Sequence, residues 1–194
     1  ASTGNASDYG DLTVTRDKLF VGTVANTTRG VFAGGDVANT KKDEIEFITM
    51  TSKANATDFG NLSAAKAAGA AFSSSTRGVF AAGSTGSLVN VIEYITIANT
   101  GNGTDFGDTS AAAGTSSGLS STTRGVIALG NTGSYVDTME YVTIGSTGNT
   151  TDFGNLSVTR GQGMGSLASA TRGVFGGGYG SSASDVMDYI TIAS

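Results

Sequence analysis

One pattern of residues is written into this chain four times. Arg-Gly-Val followed by an apolar residue opens at Arg29, Arg77, Arg124 and Arg172. An acidic residue, an aromatic, a β-branched residue and Thr follow at 46–49, 93–96, 140–143 and 188–191. Asp-aromatic-Gly appears at Asp8-Tyr9-Gly10, Asp58-Phe59-Gly60, Asp105-Phe106-Gly107 and Asp152-Phe153-Gly154. The spacing is about 47 residues, a period at which supersecondary units stack on one another. A unit of that size cannot bury its apolar surface alone, so its stability must come from its neighbours.

Residues 61–107 show one unit clearly. A small-residue strand over 67–72 precedes a strand over 77–82, and a Ser/Thr/Gly turn leads to a third strand over 91–97. A short outer strand is expected around 104–106. The third strand carries Val91, Ile95 and Ile97 on one face and Ile92 and Tyr94 on the other, so both faces must be covered. The first strand is poor in bulk in each unit: 67–71, then 111–114, then Gly161, Gly163 and Gly165. Small residues belong where inner strands converge on an axis. The expected fold is therefore all-β, a single domain over 1–194 built as a β-propeller of four four-stranded blades. An outer-strand segment at 5–12 precedes the first complete unit, and the last unit stops after its third strand at Ile192. Residues 1–12 are expected to complete the last blade and close the ring, which removes an open sheet edge.

The composition excludes several functions. A net charge of −5 and no basic block leave nucleic-acid binding without an electrostatic footprint. Lys41-Lys42 is followed at once by Asp43-Glu44, the pattern of a solvated hairpin tip. No apolar run approaches the roughly 20 residues of a membrane-spanning helix, so no membrane insertion is expected. The chain opens on Ala with no signal peptide, and is expected to be a processed or trimmed product or a segment of something longer. With no His and no Cys there is no Ser-His-Asp or Cys-His system, no thiolate and no ordinary zinc or haem site. No cofactor is expected. Two carboxylates alone can hydrolyse a glycoside, but Glu46, Glu93, Glu140 and Asp188 recur in register, as scaffold positions do. The chain is read as not an enzyme.

The order of a small-residue strand, a Val-Phe-x-Gly-Gly strand, an acidic-aromatic strand and an aromatic-Gly turn resembles the kelch repeat. Gly34-Gly35 and Gly176-Gly177 match the kelch glycine pair, and Arg16 and Arg160 sit where kelch repeats often carry Arg. Lys66 and Ala112 stand there in the other units, and the kelch Trp is absent. Residues 171–178, 94–98 and 148–156 look like the kelch-like repeats of tailed-bacteriophage structural proteins. That resemblance implies a virion component, namely a tail fibre, an appendage or a surface decoration, located on the virion or outside cells. Its partners would be other virion proteins, copies of itself or a host-surface glycan.

Two sets of residues are candidates for ligand binding. Arg29, Arg77, Arg124 and Arg172 could form a cationic ring at one mouth and hold a sulfate, phosphate or acidic sugar. Alternatively each is a structural Arg, paired with the acid of the third strand or of the next turn. Tyr135 and Tyr179 lie in the most variable loops, where an exposed phenol offers a flat face and a hydroxyl to a sugar ring. They could instead pack on their own loops. The Asp-aromatic-Gly turns could offer oxygens to calcium, or their Asp residues could bond their own turn backbone. No metal site is expected. Asn-x-Ser/Thr triplets, among them those at Asn55, Asn102 and Asn149, would matter in a host that glycosylates them. Rival functions are a self-assembling filament or capsid-layer protein and a free-standing lectin-like propeller.

Overall fold

The computed structural model describes residues 4–17 and 21–192. Its fifteen strands, with no helix among the described residues, form four antiparallel sheets. Sheet I contains β1 (Gly22–Ala25), β2 (Arg29–Val37), β3 (Thr40–Thr49) and β4 (Thr57–Asn61). Sheet II contains β5 (Ala70–Ser73), β6 (Arg77–Ala81), β7 (Val89–Thr96) and β8 (Thr104–Ala113). Sheet III contains β9 (Ser117–Ser120), β10 (Arg124–Ala128), β11 (Thr138–Thr143) and β12 (Thr151–Asn155). Sheet IV contains β13 (Gly165–Ala168), β14 (Arg172–Gly176) and β15 (Met187–Thr191). Within each sheet the strands lie in chain order, because short connections favour pairing between successive antiparallel strands.

The register repeats with the sequence. Gly30, Gly78, Gly125 and Gly173 face Ile48, Ile95, Val142 and Ile190 of the third strands. In sheets I to III the ladder to the outer strand shifts at the acidic residue, between Ile45 and Glu46, Ile92 and Glu93, and Met139 and Glu140. A bulge of this kind bends the strand and re-aims a side chain.

The sheets stack through their faces. The first strands lie side by side, β1 against β5, β5 against β9 and β9 against β13. Val24, Val31, Ile45 and Phe59 of sheet I close on Phe80, Ile95 and Ile97 of the second unit. Phe72, Val79, Ile92 and Phe106 close in the same way on Ile127, Val142 and Ile144. Leu119, Val126 and Met139 close on Phe175, Ile190 and Ile192. The third strand of sheet II and the residue after it thus bury Ile95 and Ile97 against one neighbour and Ile92 against the other, as the two apolar faces require.

Each junction has a knob and a notch. A Cβ built on Gly78 would lie 2.5 Å from Val24 Cγ2, and one on Gly173 would lie 2.6 Å from Leu119 Cδ1. A Cβ on Gly125 would lie 2.0 Å from Phe72 Cε2. The invariant Gly of Arg-Gly-Val is the place where the preceding sheet's first strand inserts a side chain.

Two expectations are corrected. Residues 111–113 are not the first strand of the third unit. They extend β8, with Ala113 opposite Val89, and the first strand is β9. Similarly β13 begins at Gly165, so Gly161 and Gly163 precede it. Poor bulk marks a close approach of chains, and here the approach is to the connecting segments as well as between first strands.

The closing of the ring is not formed among the described residues. Sheet IV has three strands, residues 1–3 lie outside the described residues, and residues 4–17 contain no strand. The segment instead lies on sheet I. Tyr9 donates its hydroxyl proton to the carbonyls of Thr49 and Ser52, and Ala56 N–H donates to Asp11 O at 2.8 Å. These are the contacts of an outer strand with the next sheet, made without a sheet of its own.

The seat of that segment is shared with β4 and β8. Gly10, Gly60 and Gly107 all have φ of 144°. A Cβ built on Gly10, Gly60 or Gly107 would lie 2.5, 2.4 or 2.4 Å from the carbonyl oxygen of Ala54, Gly101 or Gly148 in the following unit. Gly107→Ala meets both a strained backbone and that carbonyl, so it is expected to cost about 1–3 kcal/mol. The urea midpoint measures this, and a loss below about 0.5 kcal/mol, the usual scatter of surface changes, would show that the turn relaxes freely.

Candidate functional site

The four recurring carboxylates belong to the scaffold of the junctions. Each accepts a backbone N–H from a residue a few positions beyond the preceding Asp-aromatic-Gly turn. The donors are Thr13 to Glu46 at 2.5 Å, Ser63 to Glu93 at 2.9 Å, Ser110 to Glu140 at 3.2 Å and Ser157 to Asp188 at 3.3 Å. Hydroxyls of Thr13, Ser63 and Ser110 donate as well. Three of the four also hold a buried cation. Arg16 pairs with Glu46, Lys66 Nζ lies 3.1 Å from Glu93 Oε1, and Arg160 Nη2 lies 2.7 Å from Asp188 Oδ2. Burial lowers the pKa of the Arg16 guanidinium and the neighbouring Glu44 charge raises it. Arginine stays protonated under such shifts.

Among the described residues Glu140, at the junction of sheets II and III, has no such cation. The serine register makes Ala113, not Ala112, the equivalent of Lys66, because Ser110 occupies the place of Ser63; the repeat period of about 47 residues counted from Lys66 leads to the same residue. Glu140 is instead satisfied by Ser110 and by the Thr150 hydroxyl at 2.5 Å.

The four arginines do not pair with these acids. Each guanidinium lies over the aromatic ring of its own third strand. The distances to the centroid are 4.3 Å for Arg29 on Phe47, 4.3 Å for Arg77 on Tyr94, 4.4 Å for Arg124 on Tyr141 and 5.1 Å for Arg172 on Tyr189. Arg29 also donates to the carbonyls of Ile97 and Ala98 at 3.0 and 2.8 Å, and Arg77 to Ile144 at 3.0 Å. The third-strand rings in turn meet the outer-strand rings edge-on: Phe47 with Phe59, Tyr94 with Phe106, and Tyr141 with Phe153. Arg29, Arg77, Arg124 and Arg172 are therefore tied into stacks by cation–π contact. Their partners are aromatic rings and, for Arg29 and Arg77, backbone carbonyls, in place of the acids that the structural alternative named.

Side chains beside these arginines cap the turns that lead into the second strands. The turns between first and second strands of all four units border one depression of about 410 Å³. Ser74, Ser121 and Ser169 each accept the N–H of the Arg three residues on, at 3.1 Å, and Asn26 accepts that of Arg29 at 2.8 Å. Such side-chain caps fix the turn.

At the opposite ends of the second strands, the structure brings the two sequence-selected tyrosines together. Tyr135 and Tyr179 lie on loops of sheets III and IV, with ring centroids 6.1 Å apart and planes at 68°. Tyr179 is 47 % exposed. Bridges between Ser84 and Leu88 and between Asn131 and Tyr135 place Tyr135 where Leu88 stands in sheet II. Leu88 packs toward Gly114 of the following segment; Tyr135 likewise reaches the next unit and finds Tyr179. Beside them the loop 180–185 and Val158-Thr159 border a second depression of about 480 Å³.

Sequence reasoning missed the role of three asparagines. Asn55, Asn102 and Asn149, noted only as glycosylation triplets, accept the N–H of Asp11, Asn61 and Asp108 through Oδ1, each at 3.0 Å. Their spacing at the repeat period was the available signal. The Asp turns bond their own backbone where Asp8 accepts from Gly10 N–H at 3.1 Å and Asp152 from Gly154 N–H at 3.3 Å. No protein-family model matches this chain, and no curated protein matches it.

Proposed function

We propose that the chain is a non-enzymatic structural and attachment component of a virion, a tail fibre, appendage or surface decoration. Its four sheets are read as blades of a kelch-like β-propeller, with their first strands about a common axis. A fourth junction, in which the face of sheet IV meets sheet I and residues 4–12 serve as the outer strand of sheet IV, completes the set of blades. The observation that carries the attachment reading is the Tyr135–Tyr179 pair. It is an aromatic corner on variable loops, set on a frame whose recurring polar groups are already bonded to one another. Two phenol rings at an angle offer a sugar both an apolar face and a hydroxyl. Virion and extracellular placement follow the resemblance of the repeats.

A glycan array with the purified chain, followed by titration of the best ligand, tests this reading. Tyr135→Ala and Tyr179→Ala are each expected to weaken binding about tenfold, the equivalent of 1.4 kcal/mol. The thermal midpoint should stay close to that of the parent for Tyr179→Ala. Binding untouched by both changes would move the site elsewhere. Hydrolysis of a polysaccharide would end the non-enzymatic reading. A second reading, a self-assembling filament or layer protein, is favoured by the uncovered apolar face of sheet IV.

A further inference from the structure

Three junctions between sheets repeat one set of contacts, and each end of the stack carries half of a fourth. On the leading half, Val24, Phe72 or Leu119 of a first strand fills the notch over Gly78, Gly125 or Gly173 of the next sheet. On the receiving half, the residue that follows or closes the third strand is buried: Ile97, Ile144 and Ile192. Sheet IV carries the leading half uncovered. Leu167, at the place of Leu119, is 68 % exposed, with Met187 at 76 % and Tyr189 at 69 %. Contiguous exposed apolar side chains of this kind mark an interaction surface.

Sheet I carries the receiving half. Gly30 stands at the place of Gly78, and the nearest atoms to a Cβ there belong to Ile48 and Met50 of its own unit. Met50, at the place of Ile97, is 49 % exposed. Residues 4–12 already sit on sheet I as an outer strand does, with Tyr9 at the place of Phe59. Among the described residues Tyr9 and Tyr189 form none of the edge-on pairs that join outer to third strands in sheets I to III.

We propose that the exposed face of sheet IV in one copy docks on sheet I and residues 4–12 of a second copy, head to tail. The proposal rests on reading the sheets as propeller blades. Leu167 enters the notch at Gly30, and Tyr9 of the second copy meets Tyr189 as Phe106 meets Tyr94. β15 gains the outer strand that sheet IV lacks, which removes an open edge. Within one chain both faces carry exposed apolar side chains, and a second copy supplies the receiving half with the stacking of sheets I to IV unchanged. The contact is heterologous, so copies either close into a larger ring or continue as a filament.

The chain has no cysteine, so an introduced thiol is unique. Copies bearing Gly30→Cys alone, mixed under mild oxidation with copies bearing Leu167→Cys alone, are expected to give the mixed disulfide dimer as the main product. Light scattering on the unmodified chain should give at least twice 19.3 kDa. Leu167→Asp should return the mass to that of one chain with an unchanged circular-dichroism spectrum. A Gly30→Cys/Leu167→Cys double variant that closes within a single chain would overturn the second copy and uphold the ring. No disulfide in either format, with a monomeric mass, would overturn the docking. If the control pair Phe72→Cys/Gly125→Cys across sheets II and III also fails to close, the stacked-blade reading falls with it.

Discussion

Glu93→Gln is expected to be among the most damaging single-atom-scale changes in this chain, at about 3–5 kcal/mol. Lys66 is 1 % exposed, and its ammonium lies 3.1 Å from Glu93 Oε1. Removing the carboxylate charge leaves a buried cation whose desolvation nothing offsets. It also weakens the acceptor of the Ser63 N–H and hydroxyl, which join the end of sheet I to the third strand of sheet II. Glu140→Gln makes the same chemical change at the equivalent place and is expected to cost about 1 kcal/mol, the scale of one altered hydrogen bond. The difference lies in Ala113, which puts no cation beside Glu140, while Ser110 and Thr150 can still donate to an amide oxygen. Urea unfolding of the two variants, side by side, measures the contrast. Equal losses would show that Lys66 carries no uncompensated charge and would remove the ion pair from the account of this junction.

The second large effect is expected at the knob and notch between sheets II and III. Phe72→Ala removes a buried ring and should cost about 3–5 kcal/mol. Gly125→Val places a branched side chain inside the space of that ring, and overpacking of this kind costs about 1–3 kcal/mol or more. The two changes are complementary, so the double variant should be more stable than the sum of the single losses by about 0.5–3 kcal/mol. Thermal or urea midpoints of the four proteins complete the cycle. Strict additivity would mean that Phe72 and Gly125 do not touch in solution and that sheets II and III meet in some other way.

Much of this architecture was legible in the residues because each strand's pattern is local. Arg-Gly-Val marked the four second strands to the residue: Arg29, Arg77, Arg124 and Arg172 each begin one. The two apolar faces of residues 91–97 required a neighbour on each side, and the burial of Ile92 and Ile95 in different clusters meets that requirement. Tyr135 and Tyr179 could be selected as variable-loop aromatics, but their meeting could not, since it depends on which loop follows which in space.

The period, the all-β class and the need for stacked units follow from the amino-acid sequence alone, because alternation and turn residues act over a few neighbours. Partners across a junction were decided only by tertiary structure. Glu93 lies beside Lys66, and Arg77 beside Tyr94 and the carbonyl of Ile144. The residue spacing had left Arg77 free to reach either an acid or a ligand. The run 111–113 reads as a first strand by composition, yet the ladder to Val89 makes it part of β8. Small residues report that something comes close, and only the packed chain shows what it is. A repeat specifies the surfaces of one unit, while the choice of partner belongs to the geometry that brings two units together.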